Sequence, residues 1–141
     1  MIYVLDSCVG FKWLVVEQDT DKARKLRDEY RQGIHDLLAP DVYPVEIAHA
    51  LTRAERQGRI TPVEGAQLMV DVLTTLPRLF PSLPLLPRAY QISSTARIGI
   101  YDCLYVALAE QEGCELVTTD ARLLTSLQAQ FPFIVSLATI P

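Results

Sequence analysis

The sequence has no surplus of positive charge. Lys and Arg number 13 against 17 Asp and Glu, a formal net charge of −4. That excludes a protein that coats nucleic acid by charge alone. An acidic protein can still work on RNA where a bound cation carries the phosphate contact. Cysteine is scarce, with only Cys8, Cys103 and Cys114. An odd number without regular spacing is no disulfide framework and points to a reducing compartment. No pair of Cys or of His has the spacing that would let these thiols close on zinc with His35 and His49, so buried thiols are expected. Long apolar runs are missing too. The opening MIYVLDSCVGFKWLVV is interrupted by Asp6 and Lys12. It has no basic leader and no clear small-residue cleavage site, so it is not read as a signal peptide. No run approaches membrane-spanning length, and a cytoplasmic protein away from the membrane is expected. The glycine signatures of dinucleotide-binding and phosphate-binding loops are absent, as is the nucleophile elbow. There is no internal repeat, low-complexity tract or linker.

What remains is a chain of 141 residues, half of them hydrophobic and 21% charged. That composition excludes intrinsic disorder and suits one domain over residues 1–141. A globule of this size buries roughly 70% of its unfolded surface and needs no covalent staple.

Ile2 to Leu5 is an aliphatic run ended by Asp6, the pattern of a strand buried on both faces. Val9 to Val16 reads as a short helix. Thr20 to Gln32 reads as a charged helix capped by Asp19 or Thr20 and stopped by Gly33. Leu37 to Ala39 is a second strand, cut by Pro40. Asp41 is the expected cap of a helix over Val42 to Gln57, with Pro44 in its first turn. Thr61-Pro62-Val63-Glu64 is a capping box opening a helix to Leu76. Prolines 77, 81, 84 and 87 punctuate the next stretch, where one strand is expected near Leu83 to Leu86. Helices over Arg88 to Arg97 and Tyr101 to Glu112 follow. The chain ends with a strand at Glu115 to Thr118, a helix over Ala121 to Ala129 and a strand at Phe133 to Val135. Short aliphatic strands alternating with helices predict an α/β fold: a three-layer α/β/α sandwich around a short, mainly parallel sheet.

In such a sheet, ligands gather beyond the carboxyl ends of the strands. Asp6 follows the first strand and Asp120 follows the strand Glu115 to Thr118, so both belong on that edge. Asp102 opens the helix DCLYVALAE, which is apolar nearly all round and therefore buried. It either complements the helix dipole there or serves chemistry. Glu46 lies at the margin of the apolar stripe Ile47, Ala50, Leu51 and Ala54. It is either an ordinary boundary residue or an acid leaning over a cleft. Carboxylates converging on one edge repel one another and do not coexist uncompensated. Either nearby bases (Lys12, Arg53, Arg97 and Arg122) neutralise them, or a divalent cation does. Carboxylates and water are the preferred shell of Mg²⁺ or Mn²⁺, ions that assist phosphodiester cleavage. Ser7 can bond a carboxylate or simply the backbone. Asp6-Ser7-Cys8-Val9 invites comparison with aspartyl-phosphate phosphatases, but Cys8 stands where that chemistry wants a second acid. His35 and His49 are solitary.

The segments YVLDSCV, LLAPDVYPVEIAHAL, RIGIYDCLYVALAE and LVTTDARLL, in that order and each carrying its acid, resemble the PIN-domain ribonucleases. The likeness is specifically to the VapC-type toxins of toxin–antitoxin pairs, and it covers nearly the whole chain. The resemblance implies an acidic site of Asp6, Glu46, Asp102 and Asp120. Asp6 and Asp102 would be the firmest metal ligands, and Asp120 would contribute directly or through water. It further implies an Mg²⁺-dependent (or Mn²⁺-dependent) endoribonuclease acting on RNA of the tRNA or rRNA class. Such a protein would be a homodimer held inactive by a cognate antitoxin. Cys8, after Ser7 in place of the more usual Thr, departs from the pattern without touching a core acid. Arg53, on the side of its helix that carries Glu46, is a candidate to steer phosphate or a plain solvent-facing charge. Two other readings compete: a catalytically idle PIN-like module binding RNA or protein, and a small-molecule phosphatase. The apolar face Val63, Ala66, Val70 and Leu73 either packs into the core or receives a partner.

Overall fold

The computed structural model describes all 141 residues, Met1–Pro141. Five strands form one parallel sheet: β1 (Ile2–Leu5), β2 (Asp36–Pro40), β3 (Arg78–Phe80), β4 (Glu115–Thr118) and β5 (Ile134–Ser136). Their spatial order is β3-β2-β1-β4-β5. Tyr3, Val4 and Leu5 of β1 are at most 3% exposed, as expected of a central strand covered on both faces. Seven helices connect and cover the sheet: α1 (Ser7–Phe11), α2 (Thr20–Arg31), α3 (Tyr43–Arg56), α4 (Pro62–Thr74), α5 (Leu86–Ala96), α6 (Ile100–Glu112) and α7 (Ala121–Ser126). No helix is long and apolar enough to cross a membrane.

The strand order places a switch point at the centre. From β1 the chain builds outward through β2 and β3, then returns to add β4 and β5 on the other side. The crevice between the carboxyl ends of β1 and β4 is where a ligand site is expected in such sheets. Register fixes it closely: Leu5 pairs with Val117, and the Asp6 amide bonds the Val117 carbonyl at 3.1 Å.

α6 packs across β1, β2 and β4 and against α5, and Cys103 through Ala109 are all buried. α1 packs on α3, and α3 on α4. The α1–α3 approach is close because position 10 is glycine. A Cβ there would lie 1.9 Å from the hydroxyl of Tyr43, itself 1% exposed.

Several elements differ from the sequence expectation. The third strand is Arg78–Phe80, and Leu83–Leu85 is a 3₁₀ turn. Pro84 has no amide to give a ladder, while Leu38 pairs with Arg78 between Pro77 and Pro81. The first helix starts earlier, at Ser7, and gives way to turns after Phe11. Asp41 does not cap α3, because its carboxylate takes the Ser82 hydroxyl instead. Asp19 stands at the α2 cap without a side-chain bond. α7 stops at Ser126. The capping box of α4 is present in both directions, Thr61 amide to Glu64 at 3.0 Å and Glu64 amide to Thr61 at 3.1 Å. That helix buries only Gly65 and Val72. Its other face does not join the core: Val63 is 81%, Val70 54% and Leu73 60% exposed. The cysteines are all free thiols; Cys103 is buried and Cys8 and Cys114 half-buried. His35 pairs with Glu29 and meets the Tyr3 ring edge-on.

Candidate active site

The carboxyl edge of β1 and β4 gathers the acids that the sequence singled out. Asp6 directly follows β1 and is 4% exposed. Its Oδ2 accepts the Thr118 hydroxyl at 2.8 Å. Thr118, the last residue of β4 and fully buried, accepts in turn the Asp120 amide at 3.0 Å. One hydroxyl thus ties the acid after β1 to the acid after β4. Asp120 begins α7 and caps it, accepting the Arg122 amide at 2.8 Å. Asp102 lies in the first turn of α6. Glu46, in the first turn of α3, accepts the hydroxyl of Tyr105 at 2.7 Å. Tyr105 sits three positions after Asp102, so both emerge on one side of α6.

The electrostatics carry the mark of this convergence. Burial raises the Asp6 carboxyl to about 6; the Thr118 hydroxyl opposes the rise and the charge of Glu46 adds to it. Asp102 is likewise raised to about 6, by burial first and then by Asp6 and Asp120, with Arg122 opposing. Glu46 is raised by burial; the Tyr105 hydroxyl pulls it back and Asp102 pushes it up. Each carboxyl is therefore held above its ordinary range by lost water and like charge.

The four candidate bases answer this only in part. Arg122 reaches Asp102 at 3.6 Å and Asp120 at 3.5 Å, from a side chain that is 72% exposed. Lys12 is committed to Glu17 at 3.4 Å. Arg53 and Arg97 are exposed and form no ion pair with the acids. No lysine or arginine pairs with Asp6 or Glu46.

Cys8 takes a place in this network. Its sulfur receives the Thr119 amide at 3.5 Å and the Thr119 hydroxyl at 3.3 Å, and lies 3.6 Å from the Thr118 hydroxyl. Burial, and then the charge of Asp6, push the thiol up to about 12. A protonated thiol is a poor nucleophile, so Cys8 is a hydrogen-bonding group here. Sequence reasoning missed Thr118 and Tyr105. Their signals were the register of the strand before Asp120 and a phenol on an otherwise aliphatic helix.

The donor set fits a hard divalent cation. Every strong donor is a carboxylate or hydroxyl oxygen, and the negative charge exceeds the positive charge within reach. As they stand, no three Asp, Glu, His or Cys side chains are grouped so as to hold a metal ion. Mg²⁺ is commonly held by one or two carboxylates and keeps several waters, so a closed protein cage is not required. Asp6 and Asp102 are the acids that would hold such an ion; the negative charge of Asp6 reaches Asp102, and Asp120 is tied to Asp6 through Thr118.

Comparison with known proteins identifies the family and the fold. The family model for the PIN domain matches residues 3–126. Ribonuclease VapC12 of Mycobacterium tuberculosis is 38% identical over 104 residues, 74% of each chain. The VapC ribonuclease Mb0985 of Mycobacterium bovis is 34% identical over 125 residues, covering 86% of this chain and 97% of that protein. Among solved structures, PAE2754 from Pyrobaculum aerophilum superposes with a TM-score of 0.69 at 22% identity, covering 99% of this chain and 94% of its own. VapBC2 from Rickettsia felis, solved with a DNA fragment from its promoter, superposes at 0.64 and 13% identity, covering 96% and 97%. These two establish likeness of fold. The family match over most of the length and the two close sequence relatives place the chain: it belongs to the PIN-domain family, among its VapC-type members.

Proposed function

We propose that the protein is an Mg²⁺-dependent endoribonuclease, the toxin component of a type II toxin–antitoxin pair, cleaving phosphodiester bonds in RNA of the tRNA or rRNA class. The observation that carries this reading is the state of Asp6. It is a carboxyl 4% exposed, raised to about 6, without a basic partner, and within electrostatic reach of Glu46 and Asp102. Such a group is costly to the free protein and becomes useful when a cation enters. The relatives named as VapC ribonucleases support RNA as the substrate.

Asp6 and Asp102 would hold Mg²⁺ or Mn²⁺, with Asp120 contributing directly or through water. The chemistry such an ion supplies when bound is stabilisation of charge on the phosphoryl oxygens and a lowered pKa for water. The protein's own groups do the rest. Thr118 fixes the orientation of the Asp6 carboxylate and keeps the Asp120 amide in register with it. Tyr105 fixes Glu46 at the mouth of the pocket. Glu46 or Asp120 accepts the proton of the attacking water; burial raises Glu46 above the ordinary carboxylate range. Cys8 holds the Thr119 segment and takes no part in bond making.

The reading includes a cognate antitoxin and a homodimer as partners. The uncovered apolar side of α4 offers a surface of the kind such assemblies bury. Incubating purified protein with total RNA, with and without EDTA, tests the proposal. Cleavage that requires Mg²⁺ supports it. RNA binding without cleavage would favour an idle module, and turnover of phosphomonoesters alone would favour a phosphatase.

A further inference from the structure

Beside Glu46 lies a groove that bond cleavage does not use. Tyr101, one residue before Asp102, is 57% exposed, although Cys103 to Ala109 of the same helix are buried. Tyr101 shares the groove with Val42, Val45 and His49 of the α3 region. Val45 is 69% exposed. The groove holds about 630 Å³, within the range that accepts a group of nucleoside size.

Its chemistry selects among the parts of a nucleotide. The polar lining is Ser7, Asp41, Glu46 and His49, with no lysine or arginine. A phosphate finds carboxylates there and is repelled. A flat base with N–H groups on its edge finds an aromatic face, aliphatic walls and oxygen acceptors. Asp41 spends one oxygen, Oδ1, on the Ser82 hydroxyl and keeps the other. Ser7 and Glu46 also line a second pocket, with Cys8, Lys12, Glu17 and Thr119. Glu46 is common to both and Tyr101 adjoins Asp102 in sequence, so the groove lies next to the acids, within reach of a nucleotide neighbouring one bound there.

We propose that the groove seats an unstacked nucleobase adjoining the scissile phosphate, stacked on the Tyr101 ring with its N–H edge toward Asp41. The inference rests on the ribonuclease reading and adds a base-binding subsite to it.

Fluorescence anisotropy in Ca²⁺ tests it, using a labelled short oligocytidylate and an abasic ribose-phosphate strand of equal length. The wild-type protein is expected to bind the oligocytidylate more tightly than the abasic strand. Tyr101→Ala is expected to weaken oligocytidylate binding by about fivefold to a hundredfold, the range measured for lost base–aromatic stacking. It should leave the abasic strand unchanged, and Tyr101→Phe should retain wild-type affinity. Equal binding of oligocytidylate by wild type and Tyr101→Ala, or an equal loss for both strands, overturns the subsite. Mg²⁺-dependent cleavage of total RNA by the wild type, run in parallel, separates the two failures. If cleavage persists while Tyr101→Ala binds normally, the subsite falls and the nuclease reading stands. If wild type neither cleaves nor binds RNA, both fall.

Discussion

Thr118 donates its hydroxyl proton to Asp6 at 2.8 Å while accepting the amide of Asp120 at 3.0 Å. One side chain at the end of β4 thereby sets the positions of two acids that are far apart in sequence. Thr118→Val keeps the shape and removes both bonds. With Thr118 fully buried, the unsatisfied Asp6 oxygen and Asp120 amide should cost about 1–3 kcal/mol of stability each way of counting, not additively. RNA cleavage is expected to fall about tenfold or more, because the acids lose their common tether. Urea unfolding and initial cleavage rates check the two effects separately.

The raised carboxyls make a stability statement with a definite sign. Asp6 goes from an ordinary 3.8 to about 6 on folding. Folding therefore favours its protonated form. The contribution is fully present below about pH 4 and is lost as pH rises through about 6. At neutral pH, in chelator, the ionised group should weigh against the fold by about 3 kcal/mol. Asp6→Asn is thus expected to be more stable than wild type at about pH 7.5 in EDTA, with the difference closing toward about pH 4. Mg²⁺ should stabilise the wild type and not the variant. A wild-type-to-variant difference that is flat across this range would contradict the assignment.

Arg122 is the positive charge that Asp102 and Asp120 share at the rim. A cation entering between those acids must compete with it. Arg122→Ala is expected to tighten Mn²⁺ binding by about fivefold, the equivalent of roughly 1 kcal/mol of relieved competition at an exposed site. Calorimetric titration of both proteins measures this directly.

Gly10→Ala tests the packing that brings α1 and α3 together. The added methyl would fall 1.9 Å from the Tyr43 hydroxyl and 2.8 Å from its ring. Overpacking of this kind costs about 1–3 kcal/mol. A lower unfolding midpoint is expected, together with weaker activity, because Glu46 rides on α3.

The parallel sheet was legible because Ile2–Leu5 and Glu115–Thr118 are short aliphatic strands each followed at once by an acid. That pairing of strand end and carboxylate also revealed Asp6 and Asp120. Asp102 was legible because an acid at the head of an all-apolar helix is out of place. Glu46 needed the tertiary fold to distinguish it from a boundary residue, since only the Tyr105 hydroxyl and its charged neighbours set it apart. The third strand was misplaced because Leu83-Pro84-Leu85-Leu86 is more apolar than Arg78-Leu79-Phe80. What settles the matter is that proline cannot donate to a ladder while Arg78 pairs with Leu38. The open side of α4 was beyond reading, because a helix with apolar residues on one face looks the same whether the core or a partner covers it.

Asp6, Glu46 and Asp102 are short of positive charge, and on the proposed function a divalent ion supplies it. Calorimetric titration of Mn²⁺ into metal-free wild type, Asp6→Asn and Asp102→Asn tests it most directly. Saturable binding by wild type is expected, with at least about a tenfold loss of affinity in either variant and all three proteins folded. Absence of binding by folded wild type, or equal binding by all three, would contradict it.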